Sequence, residues 1–391
     1  MLGFPLGING PLHRALNEAI YVANHGAKVN FLVSTETVHK KVLQKSIPQQ
    51  YKDRLRIYPL KPLLPSGPVG WRVNNLLPLL PQTYQFMNLH KEDVLHIHAP
   101  SPVSRPLSAC LISKAIKFST VLDLHDPWSG HPFSKSPLML LQTQIMRYVI
   151  KNVDVVITPH RPLFNLIHAM DKRKQIYLIP NGIDTEIFSP HPKNEDLMNK
   201  LNFTFEDIIV GFSGQITEEK GLDTLVYAAK LLTKKNRNIK FLIIGDGPNR
   251  KKIESLVKNH DLQKFFRFVG FLSIENLVQY CSLADICVCP YKPMAHYKIM
   301  KIETPMKVVQ YLSIGKPVIM SRVSDENVVS WSGGGILIDP ANPRKLAESI
   351  YALAQDKNLR RRMGEKGRNY VERNLGWSLI AEKLLKVYNT L

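Results

Sequence analysis

The feature that most constrains the fold of this sequence is a repeated alternation of short apolar runs with amphipathic stretches of helical length. Uninterrupted apolar strands separated by helices predict parallel sheets covered on both faces. The runs form two sets, which predict two doubly wound α/β domains in a chain of 391 residues. The predicted strands lie at 29–33, 94–98, 120–124, 153–158 and 176–179, and then at 208–212, 241–244, 266–269, 286–289, 317–320 and 336–338.

A segment rich in Pro, Asn, Asp and Gly separates the two sets and predicts a linker near 183–205. We therefore place an N-terminal domain at 1–185 and a C-terminal domain at 206–375. The last helix, 376–391, is expected to cross back to the N-terminal domain.

The start of the N-terminal domain is unusual for a doubly wound fold, which opens with a strand, a glycine-bearing turn and a helix. Here the turn at 5–11 and a helix at 12–25 follow almost at once, and only 1–4 remain for the strand. We expect the first strand to be short or missing.

The net charge of the chain limits the kinds of binding partner that we expect. Lysine and arginine number 52 against 32 acidic residues, a formal net charge of +20. This balance favours a nucleotide, an anionic lipid surface or a nucleic acid. A membrane surface fits best, since a nucleotide alone does not require so much charge; a generally basic background is the alternative. No nucleic-acid-binding motif stands out, so no nucleic acid is expected as a partner.

Compartment and membrane association are predicted from three features. The cysteines show neither a CxxC pair nor a disulfide framework, which indicates reduced, buried thiols and a cytoplasmic protein. No transmembrane run and no signal peptide are evident. The apolar, proline-rich segment 60–90, with Trp71 and Arg72, fits either a surface that docks on the inner face of the membrane or a buried helix pair.

Four blocks in the second half each join an apolar strand, a turn and a helical pattern. Phosphate chemistry suits such a junction, because a helix N-terminus offers free N–H groups and partial positive charge to an anion. The blocks are IIVGFSGQITEEKGLDTL (208–225), KFLIIGDGP (240–248), FRFVGFLSIENLVQYCSLADICVCPY (266–291) and ETPMKVVQYLSIGKPVIMS (303–321). The first half carries NGP (9–11), VLHIHAP (94–100), VLDLHDPW (121–128), VITPH (156–160) and IPNGID (179–184).

With these motifs in their order, the chain resembles the glycosyltransferases of family 4 (group 1). The resemblance covers nearly the whole chain and implies the GT-B fold, in which two Rossmann-like domains face a cleft. It also implies transfer of a sugar from a UDP- or GDP-linked nucleotide-sugar donor, with retention of configuration and without a required metal or other cofactor. The donor site is implied in the C-terminal domain, and a site for a glycan or lipid-linked acceptor in the N-terminal domain.

The diphosphate of the donor is implied to bind near the first strand of the C-terminal domain, at Gly214, Gln215 and Lys220. Family members usually have an arginine where Gln215 stands and a lysine where Lys220 stands. Both cations stabilise the leaving group, so Lys220 is also predicted to be catalytic. Gln215 can hydrogen-bond phosphate but carries no charge.

Glycines are predicted to shape the rest of the donor site. Gly245 lies in a tight turn at its edge, and Arg250 replaces the third glycine of a dehydrogenase fingerprint. The resemblance implies that Gly270 lies where the backbone approaches the donor base; an ordinary strand end is the alternative.

A helix N-terminus follows in the segment 303–307. Thr304 is predicted as its N-cap and Pro305 as its first residue, with the helix running over 306–314 and ending at Gly315. Its N-terminus can hold a phosphate, with Lys307 pointing toward the anion. The donor-binding residues predicted here are Glu303, Thr304, Pro305, Met306 and Lys307.

Gln310 stands where the family usually has the second glutamate of an E-x7-E pair that binds the donor ribose. The first glutamate is replaced by Ile302, although Glu303 is adjacent. Gln310 can still bind hydroxyl groups. The two neutral residues, Gln215 and Gln310, indicate an unusual donor, slow turnover or lost catalysis.

The N-terminal domain is predicted to hold the acceptor. His125 stands at the position of the family's active-site histidine, which implies that it positions the transferred sugar or the acceptor, with Asp126 to orient it or to cap the next helix. Asn9, Gly10 and His13 open the first helix and are also predicted to contact the acceptor, as is His98. His13 and the adjacent Arg14 could bind a phosphate of the acceptor. His96 and His98 alternate on one strand, but no carboxylate at matching spacing supports a metal site, and none is predicted.

Alternatives from other functional classes follow from the same features. A non-catalytic protein that binds nucleotide or glycan and assists a partner would explain the two neutral glutamines. A nucleic-acid-binding protein is motivated by charge alone. A GT-B epimerase would convert a sugar nucleotide without an acceptor.

Overall fold

The computed structural model describes residues 10–34, 50, 52–60, 84–85, 93–99, 104–125, 137–293, 305–323 and 328–391. The chain divides into two compact units. The first comprises Met1–Gly182 together with Trp377–Leu391, and the second comprises Ile183–Gly376. Among the helices within the described ranges, none combines the length and hydropathy needed to span a bilayer.

The strands in the described residues form parallel sheets. In the first unit, β1 (Val29–Ser34) pairs with β2 (Leu55–Leu60), and a four-stranded sheet has the order β3 (Val94–Ala99), β4 (Ser119–Leu124), β5 (Val155–Thr158), β6 (Gln175–Leu178). The sheet of the second unit has the order β12-β11-β10-β7-β8-β9. Its strands are β7 (Ile208–Ser213), β8 (Ile239–Ile244), β9 (Phe266–Gly270), β10 (Ile286–Cys289), β11 (Val318–Ser321) and β12 (Gly335–Ile338).

Helices connect most successive strands. The strands are apolar on both faces because both faces are buried. Along β7, Ile209 packs into one core, while Val210 and Phe212 pack into the other. The helices of the first unit are α1 (Gly10–Asn24), α2 (Ser104–Ile116), α3 (Pro137–Asn152), α4 (Arg161–Met170) and α13 (Trp377–Tyr388). Those of the second are α5 (Glu195–Lys200), α6 (Leu222–Leu232), α7 (Arg250–Asn259), α8 (Ile274–Ser282), α9 (Met306–Ser313), α10 (Val328–Ser332), α11 (Pro343–Gln355) and α12 (Lys357–Asn374).

The prediction of two Rossmann-like α/β domains is confirmed, and each strand expected from the sequence is present within about two residues of its predicted ends. Strand β2 was missed because Pro59 lies within it, and a proline argues against an interior strand. In the described residues β2 pairs with β1 alone, so proline is tolerated there. The predicted short first strand at 1–4 lies outside the described residues, as does nearly all of 60–90.

The chain enters and leaves the second unit at adjacent points. Ile183 bridges Gly376, and the Ile183 N–H donates to the Leu375 carbonyl at 2.8 Å. The segment proposed as a linker, 183–205, packs into the second unit, where Phe188, Met198 and Phe203 are buried. The last helix of the chain, α13, follows Gly376 in sequence. It packs with α1 and the four-stranded sheet of the first unit.

Candidate donor and acceptor sites

Three glycines line the carboxyl ends of adjacent strands in the second unit. Gly214 follows β7, Gly245 follows β8 and Gly270 ends β9, with φ angles of +128°, +129° and +75°. The Gly245 N–H donates to the Gly270 carbonyl at 2.7 Å. A Cβ at Gly245 would collide with the Gly214 carbonyl. The fold thus requires glycine here, and it leaves a bare backbone edge that a ligand can approach closely.

Helix α9 begins beside this edge. Pro305 is its N-cap (φ −60°, ψ 141°), and no side chain caps the first turn. Pro305, which is extended in ψ, is thus the cap rather than the first helical residue, and the helix ends at Ser313 rather than 314. Thr304, predicted as the cap, and Glu303 lie outside the described residues. Open N–H groups at such a terminus can bind an anion.

Lys307 lies in the first turn of α9 and directs its ammonium group inward. Its Nζ is buried and has no hydrogen-bond partner among the described residues. A Cβ at Gly214 would collide with this Nζ, so the glycine makes room for it. Nζ lies 4.2 Å from the ring centroid of Phe212, and cation–π attraction offsets part of the cost of burial.

Burial lowers the pKa of Lys307 to about 8. The largest electrostatic influence on Lys307 comes from the Cys289 thiol. This thiol cannot neutralise the ammonium, because burial raises the pKa of Cys289 to about 12. The ammonium is thus a buried cation that forms no ion pair or hydrogen bond within the described residues, although the Glu219 carboxylate acts on it electrostatically. An anion bound at the start of α9 would stabilise it.

Lys220 approaches the same place from β7. It ends a 3-10 turn, Glu218–Lys220, and Gly221 (φ +67°) is the N-cap of α6. Lys220 Nζ lies 4.8 Å from the Tyr291 ring centroid, and Lys307 Nζ lies 5.8 Å from the same centroid. Two cations therefore meet at one aromatic ring beside the glycine edge. This grouping was predicted for the donor diphosphate, and the arrangement is suited to bind one.

The remaining donor-site predictions lie on the same elements. Gln215 follows Gly214 and is exposed, Met306 is half-buried at the start of α9, and Gln310 lies on α9 one turn beyond Lys307. Among the described residues, no hydrogen bond or ion pair of the Gln215 or Gln310 side chain bears on the proposed roles of these residues, which stay predictions.

The first unit has a second charged cluster, built around Arg14 of α1. Its guanidinium donates to Asp123 Oδ2 at 2.8 Å and to the Pro180 carbonyl at 2.9 Å, and it pairs with Glu18 Oε1 at 2.9 Å. Arg14 is only 2% exposed. It is therefore occupied within the fold and is not available to an acceptor phosphate.

His98 of β3 and His125, just after β4, come together above Asp123. His98 Nδ1 lies 3.2 Å from His125 Nε2, and His125 Nε2 lies 3.6 Å from Asp123 Oδ2. Burial lowers the pKa of His125 to about 4 and that of His98 to about 3. Both imidazoles are neutral near pH 7, so His125 can orient a hydroxyl by hydrogen bonding but does not present a cation.

The start of α1 holds the other acceptor predictions. Helix α1 begins at Gly10, and burial lowers the pKa of His13 to about 4, so His13 is neutral as well. The Asn17 side chain donates to the His13 carbonyl at 2.7 Å. Asn9 and Asp126 lie outside the described residues. A role of His13 as a phosphate-binding cation is not supported.

Sequence reasoning missed Glu18 and Asp123. The fold brings both carboxylates to His96 and His98, although no carboxylate at matching spacing in the sequence had indicated this. Burial raises the pKa of Glu18 well above its usual value. Burial also acts to raise the pKa of Asp123, but the Arg14 guanidinium and the three neighbouring histidines together outweigh it and lower that pKa. An acidic residue inside the apolar strand STVLDL was the signal that could have identified Asp123.

Comparison with known proteins places both halves of the chain in one family. The sequence profile of "Glycosyltransferase Family 4" matches residues 15–187, and that of "Glycosyl transferases group 1" matches residues 193–370. The alpha-D-kanosaminyltransferase of Streptomyces kanamyceticus is 28% identical over 46% of this chain and 45% of its own length. The alpha-monoglucosyldiacylglycerol synthase of Acholeplasma laidlawii is 23% identical over 50% of this chain and 52% of its own. The chain thus spans about half the length of these relatives.

Solved structures extend the likeness to the whole fold. The Anabaena protein HepE, in complex with UDP, superposes with a TM-score of 0.74 over 98% of both chains at 16% identity. A glycosyltransferase of Rickettsia africae gives the same TM-score at 17% identity, over 99% of this chain and 96% of its own. The two profile matches show that the chain belongs to the group 1, family 4 glycosyltransferases, and the solved structures show that it has the GT-B fold.

Proposed function

We propose that this protein transfers a sugar from a nucleotide-sugar donor to a hydroxyl group of a glycan, glycolipid or lipid-linked acceptor, with retention of anomeric configuration. The observation that carries the proposal is the buried ammonium of Lys307, which meets Lys220 at the Tyr291 ring beside an open helix N-terminus. Two cations and free N–H groups at one place suit a diphosphate.

The donor is held, in this proposal, without a metal at its diphosphate. Lys307 supplies the second charge that the family usually obtains from an arginine at the position of Gln215. Gly214, Gly245 and Gly270 leave room for the nucleotide, and Gln310 bonds the ribose hydroxyls. A UDP- or GDP-linked sugar fits; HepE, which shares the fold, was solved with UDP.

The reaction breaks the bond between the anomeric carbon and the β-phosphate oxygen and forms a bond from that carbon to the acceptor oxygen on the same face. The acceptor proton passes to the departing phosphate, so the protein needs no strong base. Lys220, Lys307 and the α9 terminus stabilise the charge on the leaving diphosphate. His125, neutral at pH 7, orients the acceptor hydroxyl.

The acceptor class is supported by relatives and by charge. One relative is named for synthesis of a monoglucosyldiacylglycerol, a lipid product. The net charge of +20 suits an anionic membrane surface. We therefore propose peripheral binding at the inner face of the cell membrane, where a lipid-linked acceptor would be found.

The second candidate is a weakened or inactive member of the family that binds nucleotide or glycan and assists a partner. The neutral residues Gln215 and Gln310 favour it, because family members usually carry charge at both positions. Product formation, rather than nucleotide binding, separates the two candidates.

The first test is thermal stability against UDP, GDP, ADP, CMP and their common sugar conjugates. A ligand at 100 times its dissociation constant should stabilise the fold by about 2.7 kcal/mol. We expect nucleotides of one base to raise the melting temperature. The shift should be lost in Lys220→Ala. It should be kept in the control Lys366→Ala, which changes an exposed lysine of α12. A protein that no nucleotide stabilises would contradict the proposed donor site. Binding without sugar transfer to any acceptor would favour the second candidate.

A further inference from the structure

The charged cluster of the first unit contains ligand atoms for which neither the fold nor the proposed transfer provides a role. Glu18 from α1, His96 and His98 from β3, and Asp123 from β4 each offer one nitrogen or oxygen atom that a metal ion could bind. These four atoms all lie within 4.8 Å of one another. The cluster is deep in the fold, since Glu18 is 2% exposed and Asp123 is fully buried.

Several of these atoms lack hydrogen-bond partners in the described part of the chain. They are both carboxylate oxygens of Glu18, Asp123 Oδ1 and His96 Nε2. Arg14 forms an ion pair with Glu18 Oε1, which leaves Oε2 without that partner. Buried polar atoms are normally satisfied, so a group of unsatisfied acceptors around one point indicates a missing electrophilic partner.

We propose that Glu18, His96, His98 and Asp123 bind one divalent transition-metal ion of the zinc type. Two imidazole nitrogens and two carboxylate oxygens are ligands that such an ion accepts in a four-coordinate site. Mixed nitrogen and oxygen ligands favour Zn²⁺ or Co²⁺ over Ca²⁺ and Mg²⁺, which prefer oxygen alone.

The distances suit coordination after a small contraction. Glu18 Oε2 lies 3.6 Å from His98 Nε2 and 4.0 Å from His96 Nε2, and His96 Nε2 lies 3.8 Å from Asp123 Oδ2. Ligand atoms of a tetrahedral zinc ion lie about 3.3 Å apart, given bonds of roughly 2.0–2.1 Å. None of the three pairs is short enough for a direct hydrogen bond.

The surroundings support these ligands in the way that metal sites require. Metal-binding histidines usually engage the ring nitrogen that does not bind the metal. His96 Nδ1 lies 2.5 Å from the Tyr388 hydroxyl, and His98 Nδ1 lies 3.2 Å from His125 Nε2. Arg14 donates to Asp123 Oδ2 at 2.8 Å and so orients the carboxylate whose Oδ2 faces His96 Nε2.

Charge permits the ion but does not by itself require it. Arg14 neutralises one of the two carboxylate charges. A divalent ion would neutralise the other and would also bind the two imidazoles. A proton shared between Glu18 and Asp123 is the competing arrangement, but it would leave His96 Nε2 without a partner in the described residues. A metal ion engages all four ligands at once.

This site is independent of the donor diphosphate and goes beyond the proposed transfer. The ion would join α1 to two strands of the sheet and fix the ring of His98. Through its Nδ1, His98 would in turn orient His125. His98 would then act on the acceptor only through His125.

The test uses the full chain, stripped with a chelator and titrated with Co²⁺, whose visible absorption reports four-coordinate nitrogen and oxygen ligands. We expect one Co²⁺ per chain, displacement by Zn²⁺ and a higher melting temperature on binding. Glu18→Gln and His98→Gln should each weaken binding at least tenfold. His25→Gln is the matched control, because this histidine lies outside the cluster, beside Glu382.

Two results would overturn the proposal. One is wild-type protein that binds no Co²⁺ or Zn²⁺ stoichiometrically at micromolar concentration; this measurement needs no variant to fold, and it would leave the shared proton as the explanation. The other is unchanged Co²⁺ affinity in a Glu18→Gln protein with a native circular dichroism spectrum, which would place the ion elsewhere. Nucleotide binding is measured separately, so failure of the metal site would not affect the proposed donor site.

Discussion

At the residue scale, the ammonium of Lys307 links the fold most directly to a ligand. It is buried, it has no hydrogen-bond partner among the described residues, and it adjoins Gly214. The neighbouring position, Gln215, is neutral and exposed. We therefore expect the cation at 307 to take the place of the arginine that the family resemblance implies at position 215.

Replacing Lys307 by glutamine should weaken donor binding by roughly 10- to 100-fold, because a hydrogen bond to a charged group contributes about 1.5–3 kcal/mol. Calorimetric titration with the nucleotide identified in the thermal panel measures this. In the double variant Lys307→Gln, Gln215→Arg, we expect much of the lost affinity to return, since the charge is restored from the adjacent loop. Equal affinity of wild type and Lys307→Gln would contradict the assignment.

Donor affinity should also fall as the pH rises above 8. The pKa of Lys307 is lowered to about 8 by burial in the free protein, and a bound diphosphate would raise it again. Below pH 8 the lysine is protonated in both states, so this group adds no pH dependence. Above pH 8 binding must take up a proton, which costs about 1.36 kcal/mol, or tenfold in affinity, per pH unit. Titrations between pH 7 and 9.5 test this, and the slope should vanish in Lys307→Gln.

At the element scale, the carboxyl ends of β7, β8 and β9 depend on glycines whose neighbours are backbone atoms. We expect Gly245→Ala to destabilise the second unit by more than the roughly 1–3 kcal/mol that an unfavourable φ costs, because its Cβ would also meet the Gly214 carbonyl. Gly26→Ala is the matched control: φ is +103° there, but nothing lies within 4 Å of the added Cβ. Denaturant unfolding compares them, and equal losses would show that the collision is relieved by relaxation.

The elements themselves were predictable because most strands are buried on both faces and so appear as apolar runs. Strand β2 was not predictable, since Pro59 obscured it. The N-cap of α9 was placed one residue too early, because a proline fits either the N-cap or the first helical position. The sequence also indicated that Lys220 and Lys307 lie near each other, which the contacts of both with the Tyr291 ring confirm, whereas their binding of a donor stays a prediction. The Glu18–Asp123 cluster was not predictable, because α1, β3 and β4 bring together residues that share no sequence motif.

At the scale of the whole molecule, the chain leaves the first unit after Gly182 and returns to it at Trp377. The first unit therefore contains the last helix of the chain. Trp377 is 3% exposed and belongs to one core cluster with Val22 and Val121, and a Cβ at Gly182 would collide with its ring. The stability of the first unit should thus depend on residues that follow the second unit in sequence.

Truncating Trp377 to alanine should destabilise the first unit by about 3–5 kcal/mol, as removal of a large buried aromatic does. Because the units are separate compact bodies, a single unfolding midpoint would mix their contributions. Amide hydrogen exchange resolves them: protection should fall in β4 and β5 while β7 and β8, in the core of the second unit, keep theirs. Trp331→Ala serves as the control, since that tryptophan is 54% exposed and its loss should leave protection in both sheets unchanged. Equal loss of protection in β4 and β7 after Trp377→Ala would mean that the two units unfold together.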